Sequence, residues 1–175
     1  MAFFKDNKIV TPWSETHLGV HEGRVYDQQY KEASLGRNLT LDFMMITGVR
    51  HPNILTFQIT TGGGDIDISL YEDSVTSNDG TLILEAVDRN RNFASSPTAF
   101  FYRNPTYTDI GTSISELWIP PSSAGTGTRA VNFVSGGADE FIFKPNTKYT
   151  WRILNKGGKD IDVVLDTAWL ETDTI

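Results

Sequence analysis

The stretch that most constrains this chain runs over residues 148–166, Lys-Tyr-Thr-Trp-Arg-Ile-Leu-Asn-Lys-Gly-Gly-Lys-Asp-Ile-Asp-Val-Val-Leu-Asp. Tyr149, Trp151 and Ile153 alternate with Thr150 and Arg152. Ile161, Val163 and Leu165 then alternate with Asp160, Asp162 and Val164. A period of two is that of a pleated strand with one buried face. Gly157 and Gly158 between the runs suggest a turn, since glycine tolerates positive φ. The spacing predicts a β-hairpin placed centrally in an antiparallel sheet, entered through a β-turn at Lys144-Pro145-Asn146-Thr147.

An echo of this unit lies upstream. Residues 53–72 also read as an aromatic strand, a glycine turn and an Asp-Ile-Asp strand. Two matching hairpins separated by a long excursion fit a two-sheet Greek-key arrangement. Further strands are expected at residues 24–30, 38–45, 54–59, 66–70, 81–87, 98–102, 114–119 and 129–134. Within them, Leu39, Leu41 and Phe43 share one face, as do Leu55, Phe57 and Ile59, and Leu82, Leu84 and Ala86. Gly, Pro, Asn, Asp and Ser fill the gaps. Long polar loops are expected at residues 88–97 and 120–127, the second with the composition of a mobile loop. No stretch shows a convincing helical period; residues 20–33 come nearest. The fold class is therefore all-β, an antiparallel two-sheet β-sandwich or jelly roll.

Residues 1–23 read differently and are expected to form an extended N-terminal arm, with the sandwich occupying residues 24–175. Phe3, Phe4, Ile9, Val10 and Trp13 are scattered among Lys5, Asp6, Asn7 and Lys8, and Pro12 interrupts any regular helix. Isolated large apolar groups on a polar segment suit an arm lying on another molecule; a coil packed on its own domain is the alternative.

Composition narrows the function. The 175 residues carry 15 Lys and Arg against 22 Asp and Glu, a net charge of −7. That balance repels phosphate backbones, so no nucleic-acid partner is expected. No apolar run is long enough to span a membrane, and none is expected as a partner. The chain has no cysteine, hence no disulfide framework. The first residues lack the apolar core of a signal peptide, so synthesis in a cytoplasm is expected.

Candidate chemistry is sparse. Asp65 with Asp67 and Asp160 with Asp162 could lend oxygens to Ca²⁺, but each pair supplies too few alone; a solvated strand face is preferred. His17, His21 and Glu22 would need a helix to converge, none is expected there, and the order is not that of a His-Glu-x-x-His site. No Gly-x-Ser-x-Gly elbow is present. Gly62-Gly63-Gly64 leads into a strand, not into the helix a phosphate loop requires. No catalytic, cofactor or metal site is therefore expected, and the chain does not read as an enzyme. Arg89 and Arg91 form a small basic island in an acidic chain, suited to acidic groups on a partner or to an ordinary wet loop. Phe100, Phe101, Tyr102, Tyr107 and Trp118 could form a sugar-stacking platform or a subunit interface, with core packing the default.

Taken together, several of these features resemble the capsid decoration (cement) proteins of tailed bacteriophages. The resemblance rests on His21-Glu22-Gly23 at the domain entrance, the Gly62-Gly63-Gly64 turn leading to Ser69-Leu70-Tyr71-Glu72, the Asp88-Arg89-Asn90-Arg91-Asn92 loop, and Phe143-Lys144-Pro145-Asn146-Thr147-Lys148-Tyr149 before a final Asp-Ile-x-Val-x-Leu strand. It extends over residues 15–171. It implies a homo-oligomeric structural virion protein on the capsid exterior, a homodimer or homotrimer at symmetry axes, bridging subunits of the major capsid protein. Partner contacts are then expected from Phe3, Phe4 and Trp13 in the arm and from Arg89 and Arg91. A carbohydrate-binding β-sandwich module from a tail fibre or secreted enzyme is the alternative, with Trp118, Tyr102 and Tyr107 as its platform and an Asp pair holding Ca²⁺.

Overall fold

The computed structural model describes residues 3–5, 8–10, 14–61, 64–83, 86–92, 95–121, 129–134 and 141–173. Strands β1 (Phe3–Lys5) and β2 (Lys8–Val10) form a two-stranded antiparallel ribbon of their own. Helix α1 (Glu15–His21) follows, then β3 (Val25–Leu35), β4 (Thr40–Ile46), β5 (His51–Thr61) and β6 (Ile66–Glu72). Five short strands come next: β7 (Val75–Asn78), β8 (Thr81–Leu82), β9 (Val87–Asp88), β10 (Phe100–Arg103) and β11 (Thr106–Asp109). The chain closes with β12 (Thr112–Ile119), β13 (Arg129–Val134), β14 (Phe141–Ile142), β15 (Lys148–Asn155) and β16 (Ile161–Thr172).

Two antiparallel sheets make the body. One has the order β13-β5-β16-β3-β9, with β14 also on β5; the other has the order β12-β6-β15-β4-β10-β8. The long strands switch between the sheets along the chain except from β6 to β12, which share one: β3, β5, β13 and β16 lie in the first, β4, β6, β12 and β15 in the second. This is jelly-roll wiring, and the expected all-β sandwich is what the chain forms.

Residues 148–166 do not form a hairpin. β15 pairs with β4 and β6, whereas β16 pairs with β3 and β5. The residues between them carry the chain from one sheet to the other, and the residues between β5 and β6 do the same in the opposite direction. Period-two alternation fixes which side of a strand is buried but not which strand lies beside it, so a hairpin and a sheet-to-sheet corner look alike in sequence. The two echoing units are instead each other's neighbours: β16 lies on β5 and β15 on β6. Their corners touch, with Lys156 N donating to Asp65 O at 2.7 Å. Gly157 is not in the positive-φ region. A Cβ there would approach Asp65 N to 3.3 Å and the Asn155 Oδ1 to 3.1 Å, so close packing of the corners, rather than turn conformation, asks for glycine.

The core is aromatic. Phe57 stacks on Trp151 with ring centroids 4.2 Å apart and planes within 8°, joining the two sheets. Phe143 stacks on Tyr149 at 3.8 Å, and Trp169 packs on Tyr26 and Phe101. Offset and edge contacts of this kind add about 0.5–1.5 kcal/mol each beyond area burial. At one end Arg103 of β10 donates to Tyr30 Oη and Glu32 of β3, a polar tie between the sheets.

Local corrections follow from irregular pairing. Ile54, Phe57 and Ile59 face the core, and Leu55 does not share that face fully, because β5 carries an extra residue where Ala168 and Trp169 of β16 shift register. Leu39 is exposed, while Leu41, Phe43 and Met45 are buried. The single strand expected at 81–87 is two: β8 extends one sheet and β9 the other. Leu84 and most of the expected 120–127 loop (122–127) lie outside the described residues.

Helix α1 was not expected. Ser14 caps it, its hydroxyl accepting from His17 N, and Glu15 supplies an acid in the first turn. Seven residues are too few for an apolar period to register. The helix falls in the segment read as arm and lies against β3 and β16. Gly19 is buried there, and a Cβ would meet Leu170 Cδ1 at 2.4 Å.

Candidate functional site

The two outer faces of the sandwich are where function can sit, and the face of the β12-containing sheet divides into a covered half and an open half. The covered half lies under the β7–β11 ribbon. There Arg152 grips Asp42 through two bonds, Nε to Oδ1 at 2.9 Å and Nη2 to Oδ2 at 2.8 Å. Tyr107 of β11 lies over the Arg152 guanidinium at 5.5 Å and donates its hydroxyl proton to Thr150 Oγ1. Ser74, just before β7, bonds Thr150 and donates to Ile110 O. Burial pushes the Tyr107 phenol well above its ordinary value, and the hydrogen bonds to Asp42 hold Arg152 firmly protonated. The pair and the phenol over it fasten the ribbon to the sheet.

The open half lies along β6 and the edge strand β12. Trp118 is 58% exposed, and its Nε1 donates to Asp65 Oδ1 at 2.6 Å. Beside it is a groove of about 380 Å³ lined by Asp67, Ile68, Ser69, Glu116, Leu117 and Trp118. Lys156 donates to Asp67 Oδ2 at 2.9 Å, and Ser113 donates to Glu116 Oε1 at 3.2 Å.

The Asp-x-Asp pairs are accounted for locally. Asp65 and Asp67 are engaged as above. Asp160 accepts from Ser34 Oγ and Arg37 N, and Asp162 accepts from Ser34 N with Lys31 at 3.5 Å. They fasten strand ends rather than converge on an ion. Among the described residues, no group of three or more His, Asp or Glu side chains is placed to hold a metal. His17 and His21 do meet on one face of α1, with Nε2 atoms 3.3 Å apart, while Glu22 turns away to pair with Arg24.

The basic island is split. Arg89 forms a fork with Asp27 of β3, both bonds 2.7 Å, and these bonds raise its affinity for its proton. Asp88 beside it is buried and accepts from Asn90 N, Ser95 N and Ser95 Oγ. Arg91 is exposed in the same loop. Arg89 thus anchors the loop, and Arg91 is the one directed to solvent. In the arm, Phe3 and Phe4 lie on β1, opposite Val10 and Ile9, and Trp13 lies outside the described residues.

The three-aromatic platform is not assembled. Trp118 is on β12 at one edge of its sheet, Tyr102 is on β10, four strands away, and Tyr107 is tucked beneath the ribbon over Arg152. Phe101 is buried in the core. Two features escape sequence reading altogether. Glu171 is fully buried and accepts from Thr98 N, Thr98 Oγ1, Ala99 N and Trp169 Nε1, tying the loop before β10 to the end of β16. Its only signal is a glutamate closing an alternating apolar strand. The groove beside Trp118 depends on pairing between β6 and β12, which no local pattern announces.

No family model matches this chain, and no curated protein matches it. Among solved structures the chain is similar to one titled "Unassembled KI Polyomavirus VP1 Pentamer", at 10% identity, with 82% of this chain and 73% of that chain covered and a TM-score of 0.15. A likeness at that level carries no argument, and the β-sandwich assignment rests on the strand order itself.

Proposed function

We propose that this chain is a structural virion protein that decorates and stabilises the outer surface of a tailed-phage capsid by bridging subunits of the major capsid protein. The observation that carries the reading is the jelly-roll strand order built from the very turns and strands that resemble decoration proteins: the two glycine corners, the 88–92 loop and the Phe143–Tyr149 approach to β15. The polar chemistry supports it. Asp160, Asp162, Arg89, Arg152 and Glu171 are engaged in bonds that hold the body together. What remains for partners is the exposed Arg91 and an acidic balance that repels DNA.

On this reading the protein self-associates, and weak capsid contacts add through avidity. Arg91, Phe3, Phe4 and Trp13 are the proposed contact residues; Arg89 contributes by holding the loop that presents Arg91. The test is co-sedimentation with purified phage heads. Binding that weakens on Arg91→Glu and on removal of residues 1–13, with the unfolding midpoint unchanged, supports the reading. Protein that stays in the supernatant at saturating heads overturns it. The platform needed for the carbohydrate alternative, Trp118 with Tyr102 and Tyr107, is not brought together.

A further inference from the structure

Trp118 stands apart from the other described tryptophans. Trp151 and Trp169 are 1% and 0% exposed, whereas Trp118 leaves more than half its surface in water. It is also held still: the indole N–H to Asp65 bond fixes the ring against the sheet edge. A ring pinned by a hydrogen bond loses little conformational freedom when something stacks on it. β12 is the last strand of its sheet, so among the described residues no strand pairs with its outer edge. The groove at its foot, about 380 Å³, is within the size range of small-ligand sites and is walled by Asp67, Ser69 and Glu116.

We propose that this groove binds a neutral, hydroxyl-rich oligosaccharide, with one pyranose ring stacked on Trp118. A pyranose presents an apolar C–H face to an aromatic ring and a rim of hydroxyls to its surroundings. Trp118 offers the first partner. Asp67, Glu116 and Ser69 offer the second, and hydroxyl bonds to a carboxylate are roughly twice as strong as neutral ones. Charge selects the sugar. Lys156 balances Asp67, and Asp65 is occupied by the indole, so the site does not act as a bare anionic trap. Each carboxylate keeps spare lone pairs for hydroxyl donors, while Glu116, which accepts from Ser113, repels uronic or sialic acids. This inference does not rest on capsid binding, since the groove and the proposed arm and Arg91 contacts share no residue.

The experiment is a titration of the whole chain with cellohexaose, maltohexaose and chitohexaose, read by intrinsic tryptophan fluorescence and calorimetry, with trigalacturonate as the anionic counterpart. The expected result is a saturable fluorescence change with at least one neutral hexamer in the low millimolar range or tighter. Trigalacturonate should bind more weakly than that hexamer. Trp118→Ala should weaken binding about tenfold or more, Trp118→Phe less, with the unfolding midpoint unchanged. Silence with all three neutral hexamers, or binding unaltered in Trp118→Ala, overturns the proposal. So does an arginine-rich peptide that saturates the fluorescence in their place, or a change of oligomeric state in Trp118→Ala by light scattering, because either makes the groove a protein contact. Failure here leaves head co-sedimentation untouched, and failure there leaves this titration untouched.

Discussion

Trp151 and Trp118 lie on strands of the same sheet and have opposite surroundings. Trp151 is on β15, sealed between Phe57, Phe101 and Phe143. Trp118 is on β12 with its ring in water. The first is held by faces of both sheets, the second by one hydrogen bond at an edge. In this sandwich the same residue type serves two roles, set by the face and the strand that carry it. The centre, where the two echoing units lie side by side, holds the body together. At the rim, β12 leaves one edge unpaired among the described residues and the 88–92 loop exposes Arg91.

The contrast can be broken by substitution. Trp151→Ala removes the ring that bridges the sheets and should cost about 3–5 kcal/mol, read as a large drop in denaturant midpoint or loss of soluble protein. Only a small change there would mean that the centre is not the keystone described. Glu171→Ala should cost about 3 kcal/mol, because Thr98 N and Ala99 N lose their buried acceptor. Hydrogen exchange should rise first at Thr98 and Ala99.

Legibility in the sequence follows the same line between centre and rim. The burial phase of β15 and β16 is readable because Tyr149, Trp151, Ile153, Val163 and Leu165 alternate cleanly, and all five are buried. Their partners are not readable, so the unit at 148–166 looks like a hairpin although its strands lie in different sheets. The Leu55-to-Ile54 shift follows from a bulge in β5 that shows only once β16 is paired with it. Helix α1 is invisible to periodicity because its seven residues bury only Gly19. Of the site residues, Arg89 looks like a free cation until Asp27 is seen opposite it on β3. Trp118 looks like one aromatic among several until the pairing leaves β12 at an edge.

Tyr149 and Tyr107 both have phenols raised above their ordinary value, chiefly by burial. A folded pKa above the unfolded one gives stability that is complete below the unfolded value, about 10, and is lost as pH rises through the folded value. The melting temperature should therefore fall at strongly alkaline pH, and less steeply in a Tyr107→Phe, Tyr149→Phe double variant. An identical slope would mean these phenols are not sealed. At neutral pH, Tyr149→Phe alone should cost about 1–2 kcal/mol, since Glu72 loses the phenol proton and Lys144 N its acceptor. Trp118→Ala, at the rim, should change stability by no more than about 0.5 kcal/mol. A cost comparable to Trp151→Ala would erase the distinction between edge and centre.

Capsid decoration is tested by electron microscopy of phage heads assembled with and without this chain. Sandwich-sized density is expected on the outer surface, over contacts between capsid subunits, vanishing when the chain is absent and leaving heads that rupture more easily. Heads equally decorated and equally robust in its absence would contradict it.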